Sequence, residues 1–219
     1  MKHIKELIKQ GEHQQLDFKF EISNAKKIAR TLSAFSNTDG GKLLIGVKDN
    51  GKISGIQSEE EIYMIKGAAD LYCKPPIPIQ IDSWEEKGKT VLEITIKKSD
   101  SQPIYAKDEA GHWKAWIRRH DENFIANRIL IKSWARKNRK QGTYIEITKK
   151  EEIFLEYLDK YKKISYSKLK KITNSTRVQT DKMLINFLSL DIIEQVFLAN
   201  GIFYIPKNQD FEKLLPDRD

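Results

Sequence analysis

The sequence predicts an α+β fold in which a mixed sheet packed with helices is followed by a smaller winged-helix domain. Three observations predict it. Helical and strand-like hydrophobic periods are intermixed up to about residue 137. A basic run at 132–140 then relaxes into Gln141-Gly142-Thr143. Beyond this run, three helical patterns are followed by two short strand patterns.

We therefore predict four segments along the chain. They are an α+β domain at 1–138, a linker at 139–147, a winged helix-turn-helix at 148–208 and a tail at 209–219. The tail is predicted to be either a short helix or a frayed end.

The first predicted elements are a short amphipathic helix and a strand. The helix at Lys2–Gln10 ends at Gly11, because glycine accommodates a left-handed backbone. Residues 16–20 then alternate between apolar and charged side chains, which is the period of a half-buried strand. On this pattern Asp17 faces solvent.

The centre of the first domain is a helix, a glycine turn and a buried strand. Apolar side chains recur at helical spacing at Ala25, Ile28, Ala29, Leu32 and Phe35. Asn37, Gly40 and Gly41 end this helix, and the apolar run at 43–47 predicts a central strand covered on both faces. A strand that starts at a Gly-Gly pair allows another backbone, or a phosphate, to approach closely.

Helices and hairpins complete the first domain. We predict a helix from Ser58 to about Tyr72 and a closing helix from Asn123 to Lys137. The turn at 49–51 is followed by a returning strand at 53–56. Four further strand patterns lie at 77–81, 92–96, 104–106 and 113–117.

Two capping boxes organise the second domain. Thr148 with Glu151, and Thr176 with Gln179, each match the pattern that starts a helix. A short helix at 166–172 lies between these two, and Asn200-Gly201 joins two short strands in a hairpin. Three helices and a two-stranded ribbon are the plan of a winged helix-turn-helix.

Charge and composition restrict the classes of partner. The formal net charge is +8 and the isoelectric point is near 9.3, which predicts a polyanionic partner such as nucleic acid. Solubility charge on a lysine-rich chain is the alternative. No apolar run approaches the ~18 residues of a membrane span. No signal peptide is visible and Cys73 is the only cysteine, so we expect a cytoplasmic protein without a membrane partner.

The third helix of a winged helix lies in the major groove, so its first residues are candidate base readers. They are Arg177, Gln179, Thr180 and Lys182; arginine can pair with guanine and glutamine with adenine. Candidate phosphate contacts are Lys168, Lys170 and Lys171. Duplex DNA is the favoured partner, and RNA stays open. A winged helix used only for dimerisation is the alternative.

Two features of the first domain suggest nucleic-acid contacts, and a third argues against ATP. Arg118 and Arg119 end a strand and are either a phosphate clamp or a solvated strand end. The four tryptophans are either stacking platforms for bases or core residues. Gly40-Gly41-Lys42 superficially resembles the end of a P-loop, but the first glycine and the following Ser/Thr are missing. ATP is therefore not expected.

Three carboxylates are candidates for a metal site, namely Glu12, Asp17 and Asp49. If the strand that holds Asp17 lies beside the strand that ends before Asp49, the three converge. Such a cluster would bind Mg²⁺ or Mn²⁺, which activates water against a phosphodiester. In the alternative, Asp49 is an ordinary turn residue, Asp17 faces solvent and no cofactor is bound.

These same segments resemble a known family. Glu12-x4-Asp17-Phe18-Lys19, the stretch 34–41 ending in Gly40-Gly41, and the stretch 44–51 followed by Gly55-Ile56 are similar to the Schlafen-type AlbA-like domain. That domain was formerly described as a divergent AAA, ATP-binding module. Trp116-Ile117-Arg118-Arg119 resembles the family's later strand, which ends in arginine. The resemblance covers roughly residues 1–135.

The resemblance implies an AlbA-like mixed sheet and a role with nucleic acid. Similar bacterial proteins join this domain to a C-terminal helix-turn-helix and are regarded as DNA-binding transcriptional regulators. Animal Schlafen relatives are metal-dependent RNA endonucleases with three acids, which the resemblance places at Glu12, Asp17 and Asp49; their second acid is usually Glu. Those enzymes pair two lobes around RNA, so a single lobe would form such a clamp as a homodimer.

Overall fold

The computed structural model describes residues 2–139, 145–198 and 200–207. It shows an α+β fold of helices packed with open sheets, as predicted. Contacts divide the chain into two compact units, residues 1–126 and residues 127–219. Among the described residues, no helix has the length and apolar character that a bilayer crossing requires.

The first unit contains three helices and two four-stranded sheets among the described residues. The helices are α1 (Lys2–Gln10), α2 (Ala25–Asn37) and α3 (Glu60–Asp70). The strands are β1 (Leu16–Lys19), β2 (Gly41–Ile45), β3 (Cys73–Lys74), β4 (Ile79–Glu86), β5 (Lys89–Ile96), β6 (Tyr105–Lys107), β7 (Trp113–Arg119) and β8 (Glu122–Ile125).

The central strand β2 lies inside a sheet of order β1-β2-β5-β4. It pairs in parallel with β1 and antiparallel with β5, and its residues Leu43, Leu44 and Ile45 are fully buried. The second sheet has the order β3-β6-β7-β8 and is antiparallel throughout. Helix α2 contacts β6, β7 and α3, so the helix predicted at the centre of the domain packs against the second sheet.

The glycine turn after α2 is shaped by close contacts within the first unit. Gly40 has φ +68°, and a Cβ there would lie 2.7 Å from the carbonyl oxygen of Ile96. A Cβ on Gly41 would lie 2.5 Å from the ring of Phe35. The sequence allows either another backbone or a phosphate to approach this turn closely. In the structure, the groups that approach it are the protein's own, namely the backbone of Ile96 and the side chain of Phe35.

Strand β1 is buried on both faces instead of half-buried. Leu16, Asp17 and Phe18 are 1%, 4% and 1% exposed. The apolar side chains pack in a cluster with Ile4 of α1, and the guanidinium of Arg118 binds the carboxylate of Asp17. Alternation along a strand therefore failed to predict the burial of Asp17, because a cation from a distant strand compensates its charge.

Two further predicted elements differ in the structure. Residues 122–125 form β8, paired antiparallel with β7, where the sequence predicts the start of a helix. That helix begins only at Arg128, where the side chain of Asn127 accepts a hydrogen bond from the backbone N–H of Leu130 at 2.9 Å. The predicted returning strand at 53–56 is limited to one bridge between Val47 and Ile53.

The second unit contains four helices and a three-stranded sheet among the described residues. The helices are α4 (Arg128–Lys137), α5 (Lys149–Tyr161), α6 (Tyr166–Ile172) and α7 (Arg177–Ser189). The strands are β9 (Ile164–Ser165), β10 (Ile193–Leu198) and β11 (Gly201–Pro206), in the order β10-β11-β9. Both predicted capping boxes are formed, at the starts of α5 and α7. The core includes Phe154, Leu158, Leu169, Leu184 and Phe187.

Helix α4 groups with the second unit, whereas the sequence places it in the first domain. The amide of its cap Asn127 donates to Gln195 at 2.6 Å, and Ile129 packs on the core around Phe154. Its Lys137 pairs with Asp191 at 2.5 Å. These contacts explain the division after Ala126.

Part of the predicted linker, residues 140–144, and the predicted tail lie outside the described residues.

Candidate nucleic-acid interface

The first two turns of α7 present basic and apolar side chains to solvent. Arg177 and Lys182 are exposed, and Val178 is 76% exposed. The first turn contains no acidic residue. An exposed helix start of this kind also presents backbone N–H groups and the positive end of the helix dipole, both of which favour an anion.

Gln179 takes part in the capping box that begins α7. Its Oε1 accepts hydrogen bonds from the backbone N–H of Thr176 at 3.0 Å and from Nζ of Lys150 at 3.1 Å. The backbone N–H of Gln179 donates to Oγ1 of Thr176 at 3.3 Å. Bidentate pairing with adenine needs both the oxygen and the nitrogen of the amide, so that predicted role requires Gln179 to leave the capping box.

Thr180 does not belong to the exposed surface, which corrects the predicted set of base readers. Its side chain is fully buried, and its hydroxyl donates to the carbonyl oxygen of Thr176 at 2.9 Å. Helical spacing places it on the same face as Met183, Leu184 and Phe187, which form the core. The exposed residue of this turn that sequence reasoning missed is Val178, one position from Arg177.

Helix α6 adds three lysines to the same unit. Lys168, Lys170 and Lys171 are exposed, while Leu169 between them is fully buried. Nζ of Lys168 lies 5.6 Å from the centre of the Tyr157 ring. The helix therefore separates a buried apolar face from three exposed lysines, and their contact with phosphates stays a prediction.

One carboxylate lies within α7 near these cations. Asp181 accepts a hydrogen bond from the hydroxyl of Tyr166 at 2.8 Å and lies 3.9 Å from Nη2 of Arg128. Burial raises the pKa of Tyr166, and the hydrogen bond to Asp181 raises it further, so the hydroxyl stays protonated and donates a hydrogen bond to Asp181. The carboxylate of Asp181 is thus hydrogen-bonded by Tyr166 and forms an ion pair with Arg128.

Arg118 is a structural residue and not a solvent-exposed phosphate clamp. Its side chain is 0% exposed. Nη2 donates to Oδ1 of Asp17 at 3.0 Å and to the carbonyl oxygen of Leu16 at 3.1 Å. Nε donates to the carbonyl oxygen of His13 at 3.2 Å, and the guanidinium lies 4.7 Å from the centre of the Phe35 ring. The predicted clamp is therefore wrong for Arg118; Arg119, the next residue, is half-buried.

The three predicted metal ligands do not form a metal site in this structure. Oδ1 of Asp17 is bound by Arg118, and Oδ2 lies 2.9 Å from Nζ of Lys19. Glu12 accepts a hydrogen bond from the backbone N–H of Phe18 at 2.8 Å, and Asp49 is exposed in the turn after β2. Among the described residues, no three His, Cys, Asp or Glu side chains are grouped so as to hold a metal ion. The carboxylates of this region therefore do not fit a Mg²⁺ or Mn²⁺ centre, because both carboxylate oxygens of Asp17 already form ion pairs with Arg118 and Lys19.

Glu12 and Asp17 nevertheless interact with each other. Burial raises the pKa of Glu12, and the neighbouring carboxyl of Asp17 raises it further, against the lowering effect of the Phe18 N–H. Two carboxyl groups close together disfavour each other's charged forms. The two strands β1 and β2 do lie side by side as the sequence hypothesis required, but that pairing alone does not bring Asp49 into the group.

Asn37 has a structural role at the end of α2. Its amide nitrogen donates to the carbonyl oxygens of Ile104 and Trp116, both at 2.8 Å, and its Oδ1 accepts from the N–H of Ile104 at 2.7 Å. Next to it, Oγ1 of Thr38 accepts from the N–H of Arg118 at 2.9 Å. The polar residues of the predicted glycine turn therefore connect α2 to β7 and to the segment before β6.

Comparison with known proteins identifies the first unit. The family model described as "Schlafen, AlbA_2" matches residues 12–127, which is more than half of the chain. The chain belongs to the Schlafen AlbA_2 family. Its AlbA_2 domain spans Glu12, the β1 and β2 pair, the glycine turn and all of the second sheet. The residues on which the sequence resemblance rests therefore lie in the matched region, although Arg118 and Asp17 form an internal ion pair there.

Two solved structures are similar to this chain. The DIP2311 protein from Corynebacterium diphtheriae is 16% identical, with a TM-score of 0.47 over 89% of this chain and 34% of that one. The N-terminal domain of a RecG-related protein from Nitrosomonas europaea is 23% identical, with a TM-score of 0.41 over 53% of this chain and 87% of that one. The AlbA_2 protein thus spans about a third of the length of the Corynebacterium protein.

Proposed function

We propose that the protein is a nucleic-acid-binding transcriptional regulator whose second unit is a winged helix-turn-helix that binds duplex DNA. The order α5, β9, α6, α7, β10 and β11 supports this assignment, because it places a helix pair before a hairpin that joins a small sheet. In such a unit α7 is the helix that enters the major groove.

The observation that carries the proposal is the exposed first turn of α7. Arg177 and Val178 extend from it into solvent, Lys182 follows one turn later, and no carboxylate lies in that turn. Arginine can read guanine in the major groove, and an apolar side chain such as valine can contact the methyl group of thymine. Val178 therefore replaces the buried Thr180 among the residues that we propose to contact bases.

The charge of the second unit supports a polyanionic partner. Residues 127–219 contain 19 Lys and Arg against 12 Asp and Glu. Most of the net charge of +8 therefore belongs to the smaller unit. The exposed lysines of α6 would contact phosphates and fix the orientation of α7, while α7 would supply the sequence preference.

The experiment that tests the proposal is duplex binding by a double variant, Arg177→Ala with Lys182→Ala, measured by fluorescence anisotropy at low and moderate salt. We expect affinity to fall at least about tenfold, and the slope of log affinity against log salt to fall by about 1 to 2. Lys207→Ala is the matched control for loss of charge. Its ammonium pairs with Asp191 beyond the C-terminal end of α7, so we expect little change in DNA affinity.

Two outcomes decide the assignment. Equal loss in the control would show that net charge, and not the α7 surface, determines binding. Unchanged duplex binding in the double variant would refute α7 as the recognition helix.

We also propose that the protein binds DNA as a homodimer with C2 symmetry, the commonest symmetry of oligomers. Sedimentation of the free and DNA-bound protein tests this, because a dimer places two recognition helices on one duplex.

A further inference from the structure

The AlbA_2 domain contains a basic cleft between α2 and the hairpin formed by β6 and β7. Its volume is about 410 Å³, which lies in the range of pockets for small ligands. Six of its lining residues are cationic or aromatic, namely Lys26, Lys27, Arg30, Lys107, Lys114 and Trp116. The acids that line it are Asp108 and Glu109, so cations outnumber carboxylates by five to two.

Much of the cation charge of this cleft is not balanced by those two acids. Asp108 is bound by Lys114 at 2.7 Å, and Glu109 lies 3.9 Å from Lys27. Nζ of Lys26 donates a hydrogen bond to the backbone carbonyl of Glu109, at 3.4 Å. Arg30 and Lys107 have aromatic rings as their neighbours instead of carboxylates. Within the part of the chain that the structure describes, Lys26, Arg30 and Lys107 therefore have no carboxylate at ion-pair distance, and an anion could bind to them in the cleft.

The same cleft places a guanidinium over an aromatic ring. The guanidinium of Arg30 lies 5.3 Å from the centre of the Trp116 ring. Trp116 is half-buried and packs against the core of the domain, whereas Arg30 is exposed. A planar group can therefore be added on the outer side of the guanidinium, and bases stack on guanidinium planes and on aromatic rings in this way.

We propose that this cleft binds an unpaired nucleotide, with the base stacked on Arg30 and Trp116 and the phosphate held by Lys26 and Lys107. A base within a duplex is stacked between its neighbours and cannot enter a cleft of this size, so the ligand is a nucleotide of a single strand or a free nucleotide. The proposal is independent of α7, because all of the residues involved belong to the first unit.

The test is a titration followed by the indole N–H signals of the four tryptophans in NMR spectra, with Trp116→Phe to assign the signal of Trp116. Three probes are compared: dTMP, an oligothymidylate of about ten nucleotides, and inorganic phosphate. We expect the Trp116 signal to shift with the oligonucleotide, or with both it and dTMP, and not with phosphate alone. A shift with dTMP would show that a free nucleotide is sufficient for binding. A shift with the oligonucleotide alone would show that the ligand is a nucleotide within a single strand.

Variants decide whether the cleft is responsible. Arg30 is exposed, so Arg30→Ala should fold normally, and we expect it to weaken binding about tenfold; Lys107→Ala should weaken it about threefold. Lys52→Ala is the matched control, since Lys52 is exposed in the turn after β2. The Arg177→Ala, Lys182→Ala protein should retain the site, which separates this result from the duplex experiment. An unmoved Trp116 signal with every probe, or equal binding by wild type and Arg30→Ala, would overturn the proposal.

Discussion

The guanidinium of Arg118 lies 3.0 Å from the carboxylate of Asp17, with side chains that are 0% and 5% exposed. The two residues are 101 positions apart, so this ion pair connects β7 of the second sheet to β1 of the first. It also explains why neither residue acts as its sequence position suggests. Arg118 does not reach solvent, and Asp17 is compensated inside the domain.

The first prediction concerns the stability of this ion pair. Removal of one partner leaves the other charge buried and uncompensated, so we expect Arg118→Ala to lower the free energy of unfolding by about 3–5 kcal/mol. Urea denaturation monitored by circular dichroism measures the change. Arg128→Ala is the control, because Arg128 is 67% exposed and lies 3.9 Å from its partner; its loss should cost less than about 1 kcal/mol. Equal stability of Arg118→Ala and wild type would contradict the structural role.

A second prediction concerns metal-dependent cleavage. Because Arg118 and Lys19 already bind the two oxygens of Asp17, we expect purified protein with Mn²⁺ or Mg²⁺ to leave tRNA and single-stranded DNA intact. Gel analysis of the substrates, with the Glu12→Gln protein as a blank, measures this. Cleavage that requires the metal and disappears in Glu12→Gln would show that the carboxylates rearrange into a catalytic site.

The third prediction concerns pH. Burial of Glu93 alone would raise its pKa, but hydrogen bonds from Lys42 and His3 and their charges lower it overall. A carboxyl whose pKa is lowered on folding stabilises the protein above its unfolded pKa, and this contribution is lost as pH falls. We expect Glu93→Gln to cost about 1.5–3 kcal/mol at pH 7 and the difference from wild type to shrink below pH 4.5, the ordinary value.

Unfolding curves of both proteins at several pH values check this prediction. Glu152→Gln serves as the control, because the side chain of Glu152 is 48% exposed in a local pair with Lys149; its effect should be a few tenths of a kcal/mol. A difference between Glu93→Gln and wild type that does not change with pH would mean that the charge of Glu93 is not the stabilising factor.

The fourth prediction compares two glycines. Gly40 combines φ +68° with a Cβ position 2.7 Å from the Ile96 oxygen, so Gly40→Ala should destabilise the protein by at least about 2 kcal/mol. Gly67 lies within α3, and a Cβ there meets no atom within 4 Å. Gly67→Ala should therefore stabilise by about 0.5–1 kcal/mol. Thermal denaturation of the two variants tests the opposite signs, and a stable Gly40→Ala protein would refute the close contact.

Local sequence signals predicted the elements of the fold well. The glycine turn, the central strand and the capping boxes at Thr148 and Thr176 each depend on residues close together in sequence, and all are present in the structure. Helix α4 was wrongly grouped because the contacts that assign it, such as Ile129 on the core around Phe154, are long-range. Hydrophobic period alone does not say which core a helix joins.

The candidate site was harder to predict for the same physical reason. The burial of Thr180 follows from which face of α7 meets the core, and the burial of Asp17 follows from an arginine more than a hundred residues away. The pairing of Arg30 with Trp116 brings a helix residue to a strand residue with no sequence pattern to mark it. The sequence shows where the cationic residues are, but the fold determines which of them are exposed: Arg177 and Lys182 are exposed, whereas Arg118 is buried.

The central claim, that the first turn of α7 meets duplex DNA, is tested most directly by valine methyl NMR. The chain contains four valines, of which Val178 is 76% exposed while Val47, Val91 and Val196 are 0%, 0% and 5% exposed. We predict that addition of duplex DNA shifts the methyl signals of Val178 and leaves those of Val47 and Val91 in place. Saturable duplex binding with unshifted Val178 methyl signals would contradict the account.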